Sequence, residues 1–228
     1  MVISKRMRNF ATRKAMLPHE TFQTSTMDIT LRNATPEDAA AVAQYVALAL
    51  HRTLDDKTLS TLAEVCKSDD VLYSYRNAIL ACLAADTTVD GKTYAQGTPV
   101  GLCLAYDGKD YHETRLRTFS RLSEMVGTET DDMEDETESG EYYIDSLAVD
   151  AAFRRQGIAR QLILAQMERG KSLTANLPTD APGRILAATL LVDPANTGAQ
   201  ALYKACGFVH QRDVFAFGQT FWKWKASY

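Results

Sequence analysis

The chain lacks the features that mark secreted, metal-bound or membrane-spanning proteins. Its four cysteines (Cys66, Cys82, Cys103 and Cys206) are scattered, with no Cys-x-x-Cys pair and no histidine beside them. That pattern excludes a disulfide frame and a zinc site. It reads as free, mostly buried thiols in a reducing compartment, the cytoplasm. His19, His51, His112 and His210 stand isolated, so no metal is expected. No apolar run is long enough to span a bilayer: Ala39–Leu50 is interrupted by Gln44, and Ile185–Val192 is too short. There is no internal repeat, and no secretory signal core at the start. Basic charge is missing where nucleic acid would need it. Residues 1–26 carry five basic residues against Glu20, and residues 129–141 carry eight acids and no base. With a net charge of −4, the remainder is neutral, which argues against a nucleic-acid partner.

What is present is an ordinary globular composition, 46% hydrophobic and 24% charged over 228 residues, enough to bury a core unaided. Residues 1–26 read as a basic N-terminal extension, and residues 27–228 as the folded domain. Ile29 and Leu31 open a strand. Thr35-Pro36-Glu37-Asp38 supplies a cap, a first-turn proline and first-turn acids for a helix whose buried face holds Val42, Tyr45, Val46 and Ala49. A second helical stretch runs through Leu59, Leu62, Val65 and Cys66 and on toward Tyr75. Ala78–Ala84 and Val100–Tyr106 read as strands joined by a polar loop turning at Asp90-Gly91. Glu113–Met125 has helical period and leads into the acidic run.

The second half is more sharply punctuated. Tyr142–Val149 is a strand, Gly157–Arg169 an amphipathic helix, and Asn176–Gly183 a loop. Ile185–Val192 has the unbroken apolar run of a strand buried on both faces. Ala199–Ala205 is a short helix ended by Gly207, and Phe208–Phe217 with Phe221–Lys225 forms a closing hairpin. Strand–helix alternation around Tyr142–Val192 implies a parallel pair inside a mixed sheet. Trp222 and Trp224 alternate with Lys223 and Lys225, so the tryptophans are expected in the core or at a subunit contact.

The stretch Ile144-Asp-Ser-Leu-Ala-Val-Asp-Ala-Ala-Phe-Arg-Arg-Gln-Gly-Ile-Ala159 runs from a strand through a turn into a helix starting near Gly157. First-turn amides have no intrahelical acceptor, and the helix dipole adds positive potential there, so an anion such as a pyrophosphate is the natural occupant. Gly157 removes a side chain that would hold phosphates off the backbone, and Arg154, Arg155 and Arg160 add charge at the rim. A plain strand–turn–helix explains a lone glycine motif equally well. The second motif is Val192-Asp-Pro-Ala-Asn196-Thr-Gly-Ala-Gln-Ala-Leu202-Tyr203-Lys-Ala-Cys-Gly207-Phe208, in which Asn196 can cap a helix and Tyr203 lies two turns along the same face.

With both motifs in this order, residues 28–225 resemble the GNAT superfamily of acyl-CoA-dependent N-acyltransferases. Arg154-x-x-Gly157-x-Ala159 is similar to its pyrophosphate loop, with alanine in place of the commoner glycine at 159. Asn196-x-x-Ala199-x-x-Leu202-Tyr203-x-x-x-Gly207-Phe208 is similar to its C-terminal CoA motif. The long acidic connection before Tyr142 departs from the family pattern. The resemblance implies an α/β fold with a mixed sheet of about six to seven strands flanked by helices, and a cleft between the two central parallel strands. It implies acetyl-CoA as co-substrate and an amine as acceptor, with no metal, in a monomer or homodimer. It further implies that Leu147, Ala148 and Val149 pair with the pantetheine arm and that the amides of Arg155, Gln156, Gly157, Ile158, Ala159 and Arg160 hold the pyrophosphate. Asn196 would steady the pantetheine, and Tyr203 would aim its hydroxyl at the sulfur.

Acyl transfer to an amine needs a base, an oxyanion donor and a proton for the leaving thiolate. A strand amide near Leu147 suits the second role and Tyr203 the third. Glu141 and Asp145 are the candidate bases, because strand alternation sets them on the face of Leu147 and Val149 unless a bulge intervenes. The plainer reading of Asp145 is a structural or substrate-contacting carboxylate. The acidic run 129–141 is read first as a solvated loop and second as an electrostatic funnel for a cationic amine. The competing reading of the whole chain is an acyl-CoA-binding sensor of the same fold that does not turn over.

Overall fold

The computed structural model describes residues 27–122 and 134–228. The expected basic extension at 1–26, and residues 123–133 of the acidic connection, lie outside them. Strand β6 (Glu141–Val149) organises the molecule: apart from the acids Glu141 and Asp145 its residues are apolar, aromatic or small, and seven of its nine residues are buried. It lies fourth in a seven-stranded sheet of order β1-β2-β5-β6-β7-β9-β8. The other members are β1 (Ile29–Asn33), β2 (Ala78–Leu83), β5 (Pro99–Asp107), β7 (Ala187–Val192), β8 (Val209–Ala216) and β9 (Gln219–Ser227). Every neighbouring pair is antiparallel except β6 and β7, which run parallel. The loop between β2 and β5 folds into its own hairpin, β3 (Thr87–Val89) and β4 (Lys92–Tyr94). Asp90 and Gly91, at φ of 49° and 77°, give it the twist that matches paired strands.

Helices cover both faces. Thr35 and Asp38 form a reciprocal capping box that launches α1 (Ala39–Ala49) through one 3-10 turn, and Asp55 caps α2 (Asp56–Cys66) by accepting from the Thr58 amide. Val42, Tyr45 and Val46 of α1 and Leu62 and Val65 of α2 join Leu102, Leu104, Tyr106 and Tyr143 in the core of this face. On the opposite face Ile158, Leu162 and Ile163 of α4 (Ile158–Leu173), with Leu202 and Tyr203 of α5 (Thr197–Ala205), pack on Cys103, Ala105, Tyr142 and Leu190. Gly170 lets α4 approach β6: a side chain there would drive into the Tyr142 ring.

Two expectations change. The second helix ends at Cys66 and does not reach Tyr75, because Val71, Leu72 and Tyr73 are all buried in succession, which no single helix face allows. That segment is tied down instead, with the Leu72 amide donating to Thr118 Oγ1 at 2.9 Å. The helix after β5 is α3 (Tyr111–Arg121), starting two residues early, and residues 123–125 of the expected span fall outside the described part. On β9, Trp224 lies in the core as expected, and Lys223 is as buried as Trp224. All four cysteines are free and buried. Among the described residues, no helix is long and apolar enough to cross a membrane.

Candidate active site

The site grows out of the parting of β6 from β7. Their ladder pairs Glu141 with Ala187, Tyr142 with Ala188 and Tyr143 with Thr189, and then stops. Beyond that point Leu147, Ala148 and Val149 remain paired only with β5. The strand edge facing β7 is therefore open where the sequence motif had set a pantetheine partner.

At the end of β6, Asp150 leads into a 3-10 turn, Ala151–Phe153, pinned by the fully buried Phe153. Arg155 (φ 64°) and Gly157 (φ 78°) are both left-handed, and Gly157 is the N-cap of α4. Alternating left- and right-handed residues turn successive amides into one concavity, an anion nest. None of the amides from Arg155 to Arg160 donates to an acceptor among the described residues. A Cβ on Gly157 would meet nothing within 4 Å, so the space in front of the loop is open. These observations fit a pyrophosphate. Arg155 and Arg160 are exposed and form no ion pair among the described residues, whereas Arg154 turns back, its Nε donating to the Val149 carbonyl at 2.9 Å. Ile158 is buried, so only its amide faces the loop. Gln156 and Ala159 are half-buried.

On α5, Asn196 Oδ1 accepts from the Ala199 amide at 3.0 Å and caps the helix. Two turns on, half-buried Tyr203 packs its ring against Phe208 at 6.1 Å. Its hydroxyl has no hydrogen-bond partner among the described residues, and burial holds its pKa above the ordinary phenol value. It keeps a proton it can donate.

The two candidate bases separate. The β5–β6 register slips between Leu104 and Ala105, which leaves Asp145 as the extra residue of a bulge. The bulge breaks strict alternation, as the sequence reading had allowed. Leu147 and Val149 pack toward α4, while Asp145 accepts from the Tyr106 hydroxyl on the α1–α2 face at 2.6 Å and from Ser146 Oγ at 2.6 Å. Burial raises the Asp145 pKa above the ordinary carboxylate value, against the pull of those two donors. Glu141 sits at the far end of β6, ion-paired to Lys223 at 2.6 Å with both side chains buried, and it also accepts from Thr137 and Thr189. Its carboxylate is committed to holding β6, β7 and β9 together, and the expectation that it shares the face of Leu147 and Val149 is not met.

The acidic connection is the larger surprise. Its described part, 134–141, is only in part a solvated loop: Glu134, Asp135, Glu138 and Ser139 are exposed, whereas Glu136, Thr137 and Glu141 are buried. Glu136 is buried and accepts from the Tyr111 hydroxyl at 2.6 Å and the Tyr143 hydroxyl at 2.5 Å. Glu134 accepts from Arg212 and from the Phe215 amide, and Asp135 pairs with Arg115 and His112. Tyr106, Tyr111 and Tyr143 contact one another at centroid distances of 5.8–6.4 Å, forming an aromatic wall between Glu136 and Asp145. The sequence reading missed Tyr106, Tyr111, Glu136 and Tyr143. Its one available signal was an acid run feeding straight into a tyrosine-rich strand.

A family model described as acetyltransferase (GNAT) family matches residues 82–208, more than half of the chain. The chain belongs to the GNAT acetyltransferases. No curated relative matches it by sequence. Solved structures agree on the GNAT fold. One acetyltransferase crystal structure aligns at 23% identity and TM-score 0.60, covering 87% of this chain and 98% of that one. An N-acetyltransferase from Staphylococcus aureus Mu50 aligns at 21% identity and TM-score 0.58, covering 86% and 100%. The NatC complex bound to Gag peptide and CoA aligns at 13% identity and TM-score 0.52, covering 89% and 99%.

Proposed function

We propose that residues 27–228 form one catalytic domain that transfers the acetyl group of acetyl-CoA to a primary amine. The observation that carries this reading is the opening past Tyr143 and Thr189, along which an unpaired strand edge and six unsatisfied amides are laid out. The co-substrate supplies the activated thioester. The loop amides of Arg155 to Arg160 bind its phosphates, the edge of Leu147 to Val149 aligns its arm, and Asn196 steadies it. An amide near Leu147 serves the charge that grows on the carbonyl oxygen. Asp145 accepts a proton from the arriving ammonium, freeing the nitrogen lone pair, and Tyr203 donates its phenolic proton to the departing sulfur. Cys103 is an electrostatic neighbour of both Asp145 and Tyr203, which supports their convergence on one stretch of β5. The buried free thiols fit a cytoplasmic home.

The test is thiol release from acetyl-CoA over a panel of small amines and peptides. Turnover with at least one amine is expected, and Asp145→Asn should lower kcat by about 10²–10⁴-fold. Tight CoA binding with no turnover on any acceptor would overturn the enzyme reading in favour of a sensor.

A further inference from the structure

The bulge in β6 does more than turn Asp145 toward the α1–α2 face. In a regular strand, consecutive residues point to opposite faces. Here the register slip leaves Asp145 unpaired between Ile144, opposite Ala105, and Ser146, opposite Leu104. Ile144 packs in the core on the α4 side, whereas Leu104 lies in the core on the α1–α2 side. Asp145 and Ser146 therefore share the α1–α2 face although they are consecutive, and Ser146 Oγ donates to Asp145 Oδ1 at 2.6 Å. Tyr106 reaches across from β5 to the other oxygen, its hydroxyl donating to Oδ2 at 2.6 Å. Both donors are buried, and the Tyr106 ring is held against Tyr111 and Tyr143. Neither hydroxyl has a part in the proposed chemistry, yet the bulge brings both to one carboxylate.

We propose that Ser146 and Tyr106 are positioning residues for Asp145: their hydroxyls hold one carboxylate oxygen each and stabilise the ionised form that accepts the amine's proton. This rests on the reading of Asp145 as that base. The step moves a single proton. A nitrogen–hydrogen bond of the ammonium breaks, its electron pair stays on nitrogen, and an oxygen–hydrogen bond forms on Asp145. Burial drives Asp145 toward its neutral form, which cannot accept that proton. Hydrogen bonds to the charged form act against burial, from Ser146 first and then from Tyr106. Each oxygen keeps a second lone pair, and Asp145 is only half-buried, so an ammonium has access to it. The titratable groups facing Asp145 are Tyr73, Cys103 and Tyr106 of β5, Tyr111 of α3, Tyr143 of β6 and Glu136 of the acidic connection. Burial holds the tyrosines and Cys103 above their ordinary values, so they stay neutral near pH 7. Glu136, which burial pushes up to about 7, is the one of them that titrates in that range.

The experiment is the pH dependence of kcat/KM with acetyl-CoA and the best amine of the panel, for wild type, Tyr106→Phe, Ser146→Ala, the double variant and Asp145→Asn. Activity should rise with pH as Asp145 loses its proton. Tyr106→Phe keeps the ring against Tyr111 and Tyr143, and with it the setting of Glu136, but deletes the donor. Its acid limb should move up by about one pH unit, with kcat/KM about tenfold lower along the limb and closing on wild type at high pH. Ser146→Ala should move the limb up by a similar amount, and the double variant further than either. A merely structural role would lower activity at every pH without moving the limb. If Tyr106→Phe does not fold, Ser146→Ala carries the test, since it deletes one oxygen and adds nothing. An unmoved limb in the folded variants, alongside loss of the limb in Asp145→Asn, overturns the role of the two hydroxyls. A limb that survives in Asp145→Asn overturns the assignment of Asp145 itself.

Discussion

The two sides of the cleft are made of different material. The α4 side is backbone: six amides from Arg155 to Arg160, shaped by two left-handed residues, with the Ile158 side chain turned away into the core. The α1–α2 side is side chains: Tyr106, Tyr111, Glu136, Tyr143 and Asp145, all hydrogen-bonded in place. A backbone site tolerates replacement at most of its positions, since every residue but proline has an amide. A buried side-chain site does not, because removing one member leaves its partner desolvated and unpaired. Under the proposed function, the first side would take the phosphates of the co-substrate and the second would face the acceptor.

The sharpest way to break this contrast is at Lys223, which belongs to the side-chain half. Lys223→Met would leave the Glu141 carboxylate buried without its cation, and the chain should lose about 3–5 kcal/mol in denaturant unfolding. Adding Glu141→Gln to the same protein should recover most of that loss. A single variant as stable as wild type would show that this half is not brittle.

A middle-sized effect is expected at Tyr203, whose hydroxyl has no hydrogen-bond partner among the described residues. Tyr203→Phe keeps the ring contact with Phe208, so unfolding and CoA affinity should hardly change. Steady-state assays should nonetheless show kcat and kcat/KM falling together by about 10²-fold, the mark of an interaction made in the transition state. Full kcat with chemistry rate-limiting would remove its role as proton donor.

The smallest effect tests the backbone half at the one position where residue type matters. Gly157 sits at φ 78° in open space, so Gly157→Val meets no neighbour in the free protein and costs only conformational strain there. Its side chain would occupy the volume a phosphate needs, and calorimetry should show CoA binding weakened by about tenfold or more, roughly 1.4 kcal/mol. Unchanged affinity in a folded variant would remove the phosphate-loop assignment.

The same contrast decided what could be read from the chain. The amide loop was legible because its donors are consecutive and its glycine is dictated by a left-handed backbone. Asn196 and Tyr203 were legible because helical spacing fixes which face they share. The facing of Asp145 was not, because a bulge is an event of pairing between β5 and β6, and neither strand records it alone. Glu136 was hidden for a related reason: its partners Tyr111 and Tyr143 come from α3 and β6, and a run of acids looks the same whether it is solvated or folded inward. The burial of Lys223 left no mark in the sequence, because its partner Glu141 lies far away in the chain. The end of α2 was overrun because Val71 to Tyr73 supply apolar residues that the helical period absorbs.

The burial of the cysteines has a kinetic consequence. Desolvation pushes the Cys66 thiol up to about 12 and holds Cys82, Cys103 and Cys206 above the ordinary thiol value. Thiolates, not thiols, exchange with thioesters. Cys103 is an electrostatic neighbour of Tyr203, beside the proposed acyl donor, yet it stays protonated and offers no competing nucleophile. None of the four cysteines is then a thiolate that could carry an acetyl group, which agrees with the proposed direct transfer, in which donor and acceptor are bound together. Initial-rate plots for the two substrates should then intersect, as for a ternary complex, and not run parallel as they would for an acyl-enzyme relay.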